Sequence, residues 1–137
     1  MIDHISFAVK DFQQSLHFYD QTLDILGYKR LLAFDNEGHQ VAGYGKEGRP
    51  SFWIGQKAHL TAEDMKECVG QAAGFHVGFV APTVASVHAW HTKCLEVGGK
   101  DNGAPGPRAE YHPGYYGGFI IDPNGWRIEA CFQDYQG

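Results

Sequence analysis

Two histidines occupy the same place in two similar stretches of this chain. Residues 3–11 read DHISFAVKD, and 72 positions later residues 75–83 read FHVGFVAPT, so that His4 aligns with His76. A third candidate is Glu129, a carboxylate inside the otherwise apolar segment WRIEACF. Burying a carboxylate without a partner costs several kcal/mol, and a metal ion is one partner that removes this cost. Two imidazoles and a carboxylate on one concave face leave open positions on a divalent ion such as iron, manganese, zinc or nickel.

Each histidine lies on a predicted strand that leads into a predicted helix. Apolar and polar residues alternate along both strands, which is typical of a strand with one buried face. Asp11 and Thr83 follow the strands and provide side-chain oxygens that can cap a helix. Apolar residues then recur at helical spacing, and the helices are predicted to end at Gly27 and at the pair Gly98 and Gly99.

Extended segments follow each helix, and together they predict an α+β fold in which a βαβββ unit occurs twice. The predicted strands are Lys29–Phe34, Gln40–Tyr44 and Ser51–Gly55 in the first unit, and about Tyr115–Ile121 and Arg127–Phe132 in the second. DPNG at 122–125 predicts a turn between the last two strands. Residues 98–118 are rich in glycine, proline and tyrosine, and we expect them to form a long functional loop.

The predicted organisation is a single domain over residues 1–137. Its first module spans about 1–56, its second about 75–132, and the connection between them about 57–74. The connection contains TAED, which predicts the start of a short helix.

Composition limits the possible functions. Hydrophobic residues make up 43% and charged residues 20% of the 137 residues, as in a globular domain. The net charge of −5 offers no basic patch, so we expect neither nucleic acid nor a membrane surface as a partner. There is no apolar run of the ~20 residues that a membrane span needs, and no signal peptide. Three cysteines without C-x-x-C spacing predict no disulfide framework, and we expect a cytoplasmic protein.

The motifs DHISFAV, FHVGF and IIDPNGWRIEA resemble those of the vicinal oxygen chelate superfamily over residues 1–132. That superfamily includes glyoxalase I, extradiol dioxygenases, fosfomycin-resistance enzymes and bleomycin-resistance proteins. The resemblance implies two βαβββ modules that pair into a cup-shaped mixed sheet, with a divalent metal ion on the inner face. By position, it implies His4, His76 and Glu129 as the metal ligands. A homodimer is usual in similar proteins, and exchange of modules would place His4 of one chain beside the other two ligands of its partner.

Two departures from the family pattern bear on the activity. Glyoxalase I has a fourth ligand, a glutamate on the last strand of its first module. Aligning Ile54 with Ile128 places Gly55 at that position, which argues against glyoxalase I activity. The fosfomycin-type and dioxygenase branches instead have a tyrosine about ten positions before the ligand glutamate, where this chain has Phe119. Because alternation places Tyr115 on the same face as Phe119, Tyr115 is a candidate catalytic residue.

Arg108 and His112 lie in the predicted loop and are further catalytic candidates. They could form a lid, with Arg108 holding an anionic oxygen and His112 or Tyr115 moving protons. The alternative is a packed surface loop. His88 and His91 are three apart on the second helix, and we expect ordinary exposed positions for both.

The sequence therefore predicts a divalent-metal-dependent enzyme that acts on a small oxygen-rich molecule as a lyase, isomerase, transferase or dioxygenase. The alternative is a protein that binds a drug or metabolite without chemistry, as bleomycin-resistance relatives do.

Overall fold

The computed structural model describes residues 1–57 and 74–137. In chain order its elements are β1 (Ile5–Ala8), α1 (Phe12–Leu23), a 3₁₀ turn (Asp24–Leu26), β2 (Lys29–Asn36), β3 (His39–Lys46), β4 (Arg49–Lys57), β5 (Val77–Val80), α2 (Val84–Glu96), β6 (Lys100–Pro107), β7 (Tyr116–Ile121) and β8 (Arg127–Phe132). The predicted connection over residues 57–74, with its helix at TAED, lies almost entirely outside the described residues.

The strands form two four-stranded mixed sheets with the same topology. The strand orders are β1-β4-β3-β2 and β5-β8-β7-β6. In each sheet the first strand pairs in parallel with the last, and the other neighbours are antiparallel. The predicted α+β fold with a repeated βαβββ unit is confirmed. We call β1 to β4 with α1 the first module, and β5 to β8 with α2 the second.

One predicted element is wrong. Residues 98–118 are not one long loop, because Lys100–Pro107 forms β6 and pairs with β7. Glycine and proline are tolerated here because β6 is an edge strand of the described sheet, and its register shifts on both sides of Gly103. Only residues 108–115 remain as a connecting loop.

The helix ends follow the predicted capping residues. The Asp11 carboxylate accepts a hydrogen bond from the backbone N–H of Gln14 at 2.9 Å. Thr83 forms a reciprocal capping box with Ser86. Gly27 has a φ of +81° in the left-handed region, where glycine is favoured. No helix within residues 1–57 and 74–137 is long and apolar enough to cross a membrane.

The two modules share one core at their seam. Phe7 of the first module stacks on Trp126 of the second with ring centroids 4.5 Å apart, and Phe52 meets Phe79 edge-on at 5.1 Å. The Trp126 indole also donates a hydrogen bond to the backbone carbonyl of Ala8 at 2.8 Å. These contacts join the two modules through one core, and each helix packs against its own sheet and against the other helix.

Candidate functional site

Glu129 lies in the middle of β8 with only 2% of its surface exposed. Its cross-strand neighbours are Gly78 on β5 and Phe119 on β7. His76, just before β5, places its Nε2 atom 3.1 Å from Oε2 of Glu129. The His76 imidazole is 45% exposed and thus connects the buried carboxylate with the protein surface.

Glycines make room for this carboxylate. A Cβ atom at Gly117 would stand 2.6 Å from Oε1 of Glu129, closer than real Cβ contacts allow. A Cβ at Gly78 would stand 3.6 Å from Oε2, which is an ordinary contact. The observed position of the Glu129 side chain therefore requires glycine at position 117.

Tyr115 covers the other side of the carboxylate. Its hydroxyl donates a hydrogen bond to Oε1 of Glu129 at 2.7 Å. Burial, together with the hydrogen bond to Glu129, raises the pKa of the Tyr115 phenol, so the phenol keeps its proton at neutral pH. Burial likewise raises the pKa of the Cys131 thiol on the same face, which excludes a reactive thiolate.

The pair His76 and Glu129 supplies two of the ligands that a divalent metal ion needs. Two ligand atoms that each lie about 2.1 Å from one ion, at angles near 95–110°, are separated by about 3.1–3.4 Å. The observed separation of 3.1 Å between Nε2 and Oε2 agrees with this spacing. An imidazole and a carboxylate are also ligands that suit manganese, iron and zinc.

His4 lies at the end of β1, where its Nδ1 atom is 2.8 Å from Oδ1 of Asp3 and its side chain is 58% exposed. Within residues 1–57 and 74–137 of one chain, no group of three or more His, Cys, Asp or Glu side chains is placed to hold a metal ion. The structure therefore brings together two of the three predicted ligands, His76 and Glu129, and leaves His4 at a separate, solvent-accessible place.

The two loop candidates lie at the rim and do not contact Glu129. The backbone N–H of Gly114 donates to Nδ1 of His112, so the ring proton lies on Nε2, which donates to Oε1 of Gln133 at 2.5 Å. The Arg108 guanidinium donates to the carbonyls of Ala104 and Pro107 and lies 5.5 Å from the centre of the Phe119 ring.

The strand registers correct the predicted equivalent of Glu129. Ser6 and Gly78 align between the modules, and they pair with Trp53 and Glu129 respectively. Trp53, and not Gly55, therefore occupies the position equivalent to Glu129. The alignment of Ile54 with Ile128 was wrong because residue letters alone do not fix the register of a strand pair. The first module still has no carboxylate at this position.

His91 also differs from its prediction. It is only 7% exposed, and its Nε2 atom lies 2.9 Å from Oδ1 of Asp101. The Gly103 backbone N–H, and then His91, hold the pKa of Asp101 below its usual value. This carboxylate belongs to β6, the strand that the sequence did not predict, which is why His91 was expected to be exposed. His88 is exposed as expected, and its Nε2 lies 2.7 Å from the Tyr116 hydroxyl.

Comparison with known proteins agrees with this fold. A glyoxalase/bleomycin resistance protein from Albidiferax ferrireducens T118 has a TM-score of 0.70 at 24% identity, covering 94% of this chain and 96% of that one. Glyoxalase I from Zea mays has a TM-score of 0.69 at 21% identity, and the match covers 96% of this chain but 45% of the maize chain. These similarities show the fold. No curated protein sequence matches significantly. The family model of the Glyoxalase/Bleomycin resistance protein/Dioxygenase superfamily matches residues 1–130, and the chain belongs to this superfamily.

Proposed function

We propose that the protein is a divalent-metal-dependent enzyme that acts on a small oxygen-rich molecule. The observation that carries the proposal is the pair of Glu129, 2% exposed, and His76, 3.1 Å away, in a chain of this superfamily. A carboxylate buried this deeply has one imidazole and one phenol as partners, and a cation next to it would lower the cost of its burial further.

A divalent ion bound here would supply Lewis-acid stabilisation to an oxyanion or enolate of the substrate. The chain's own residues have distinct tasks. His76 and Glu129 would hold the ion, and the Tyr115 phenol holds a proton beside Oε1 of Glu129, where a substrate oxygen could share it. Lyase, isomerase and transferase reactions use this chemistry, and a dioxygenase reaction would use it together with activation of O₂ at the ion.

We infer that the third ligand, His4, comes from a second copy of the chain in a homodimer. His4 directly precedes β1, and β1 and β5 each form one of the two edges of their described sheets. The edge strand β5 carries Val80 with 58% of its surface exposed. Pairing of β1 from one copy with β5 from the other would bring His4 towards the partner's His76 and Glu129.

Metal content tests the site. Elemental analysis of tag-free protein, reconstituted with manganese, iron, zinc or nickel in turn, is expected to give one ion per chain. Glu129→Gln keeps the shape of the side chain but removes the charge, and should bind about tenfold more weakly or worse. His17→Ala, which removes an exposed histidine of α1, is the control and should retain the metal. Full metal content in Glu129→Gln would show the site assignment to be wrong.

Mixing two inactive variants tests the shared site. His4→Ala and Glu129→Gln each lack one ligand, but a heterodimer of the two regains one complete site. Random exchange makes half of all dimers heterodimers, so the mixture should recover about a quarter of the wild-type metal. No recovery after verified subunit exchange, with each variant alone also metal-free, would place all three ligands within one chain.

The second candidate function is ligand binding without chemistry, and Trp53 favours it. Leu32 and Phe34 lie on the same face of the first sheet as Trp53 and are 38% and 50% exposed. This apolar face suits a planar organic molecule. Tight binding of unmodified bleomycin to metal-free protein, lost in Trp53→Ala, would support this function over the enzyme.

A further inference from the structure

A cavity of about 320 Å³ opens at the seam between the two modules. Lys10 and Gln14 line it from the first module, and Gly98, Lys100 and the β7–β8 turn at 121–125 line it from the second. None of the candidate metal ligands is among its lining residues. Its volume is at the lower end of the range for small-molecule sites, about 300–1,000 Å³.

The exposed charges around this cavity are positive, although the chain as a whole carries a net charge of −5. Lys10 and Lys100 are both exposed, and neither side chain has a hydrogen bond or ion pair with another described residue. The one lining carboxylate, Asp122, is 3% exposed. Its oxygens accept hydrogen bonds from the Tyr19 hydroxyl and from the backbone N–H of Trp126, so Asp122 is directed into the protein and is not available to neutralise the lysines.

Both lysines are anchored to the same turn. The backbone N–H of Lys10 donates to Oδ1 of Asn124 at 2.9 Å. Lys100 is the first residue of β6 and pairs with Ile121, directly before the turn. The Asn124 side chain is itself fixed by donating to the Ser15 hydroxyl at 3.2 Å. The backbones of both lysines are thus fixed to one turn, and their side chains extend from it at one opening.

We propose that this cavity binds a small oxyanion, a phosphate or carboxylate group, between Lys10 and Lys100. Ammonium groups bind such oxyanions as point charges with charge-assisted hydrogen bonds, and the exposed Gln14 amide adds a neutral donor. Because the lysines belong to different modules, a bound anion stabilises the seam. The site does not depend on the metal centre or on the proposed enzymatic activity.

Titration with inorganic phosphate, followed by amide NMR spectra, tests the proposal. Sodium chloride at matched ionic strength is the reference. We expect saturable shifts at Gly98, Asn124 and Gly125, and smaller shifts elsewhere. The double variant Lys10→Gln, Lys100→Gln is expected to bind at least about tenfold more weakly, because it loses two charge-assisted hydrogen bonds.

The double variant Lys29→Gln, Lys93→Gln is the matched control, since it changes the net charge equally while its lysines pair with Asp24 and Glu96 outside the cavity. Equal weakening in this control, or phosphate shifts no larger than those with chloride, would overturn the proposal. Citrate provides a second arm. Saturable binding of phosphate alone identifies a phosphate site, saturable binding of citrate alone identifies a carboxylate site, and binding of neither overturns the proposal.

Discussion

The two modules share one topology but present opposite chemistry on equivalent faces. In the first module, Trp53 on β4 lies over Gly43 on β3, where a Cβ atom would stand 2.9 Å from the indole. In the second module, the equivalent position on β8 is Glu129, and its β7 partner is Phe119. The aromatic side chain of the pair lies on β4 in the first module and on β7 in the second.

A second difference lies two residues away from these positions on β3 and β7. Val41 in the first sheet is equivalent to Gly117 in the second, because each pairs with the residue two positions after Trp53 or Glu129. The missing side chain of Gly117 is what admits Oε1 of Glu129 and the ring of Tyr115. The same backbone therefore supports an apolar face in one module and a polar site in the other, and a few positions determine which.

Gly117→Ala is the strongest single-residue test of this comparison. The new Cβ would stand 2.6 Å from Oε1 of Glu129 and 3.2 Å from the Tyr115 ring, so the carboxylate must move. We expect a loss of about 1–3 kcal/mol in the free energy of unfolding and a large loss of metal affinity. Urea unfolding of metal-free protein measures the loss of stability separately from the loss of metal affinity.

Gly55→Ala is the matched control on the same face of the first sheet. Its new Cβ would be 3.5 Å from the nearest atom, the backbone oxygen of Gln40, which is an ordinary contact. We expect a change in the free energy of unfolding below about 1 kcal/mol and unchanged metal content. Equal effects of the two substitutions would show that the two faces do not differ as described.

Trp53→Glu sharpens the comparison by giving the first module the carboxylate that it lacks. His4 and Trp53 lie on the same face of the first sheet, so in the proposed dimer the new carboxylate joins the shared site. We expect one ion per chain as before, but an affinity at least about tenfold higher, measured by competition with a chelating dye. Trp53→Gln has nearly the same shape without the charge, and equal affinity for both variants would refute a fourth ligand.

Much of the fold could be predicted because its local signals agree. The alternating strands, the caps at Asp11 and Thr83 and the glycine stop at Gly27 are each short-range patterns with a physical cause. The candidate pair His76 and Glu129 was found because a repeated histidine and a carboxylate in an apolar strand are both unusual.

The missed features depend on tertiary contacts. β6 is rich in glycine and proline, and its strand conformation comes from pairing with β7. Its absence from the prediction also hid Asp101, the partner that explains the burial of His91. The equivalence of Trp53 and Glu129 follows from the registers of the two parallel strand pairs. Alternation of apolar and polar residues alone does not fix these registers. Local patterns thus determine elements, and contacts across the sheet determine which residues face one another.

Asp101→Asn tests a smaller difference between the edge strands of the two sheets. The Gly103 N–H and His91 lower the pKa of Asp101 in the folded state. The contribution of Asp101 to stability is therefore fully present above its unfolded-state pKa of about 4. It is lost as the pH falls through the lower folded-state pKa. The stability difference between wild type and Asp101→Asn should therefore be small, because the carboxylate is exposed, and should decrease as the pH falls below about 4. Asp35→Asn on β2 is the control, since Asp35 accepts a hydrogen bond from the neutral Gln40 amide. Urea unfolding at stepped pH measures the stability of both variants relative to wild type. A difference for Asp101→Asn that persists unchanged to pH 2 would show that the contact between His91 and Asp101 does not depend on the ionised carboxylate.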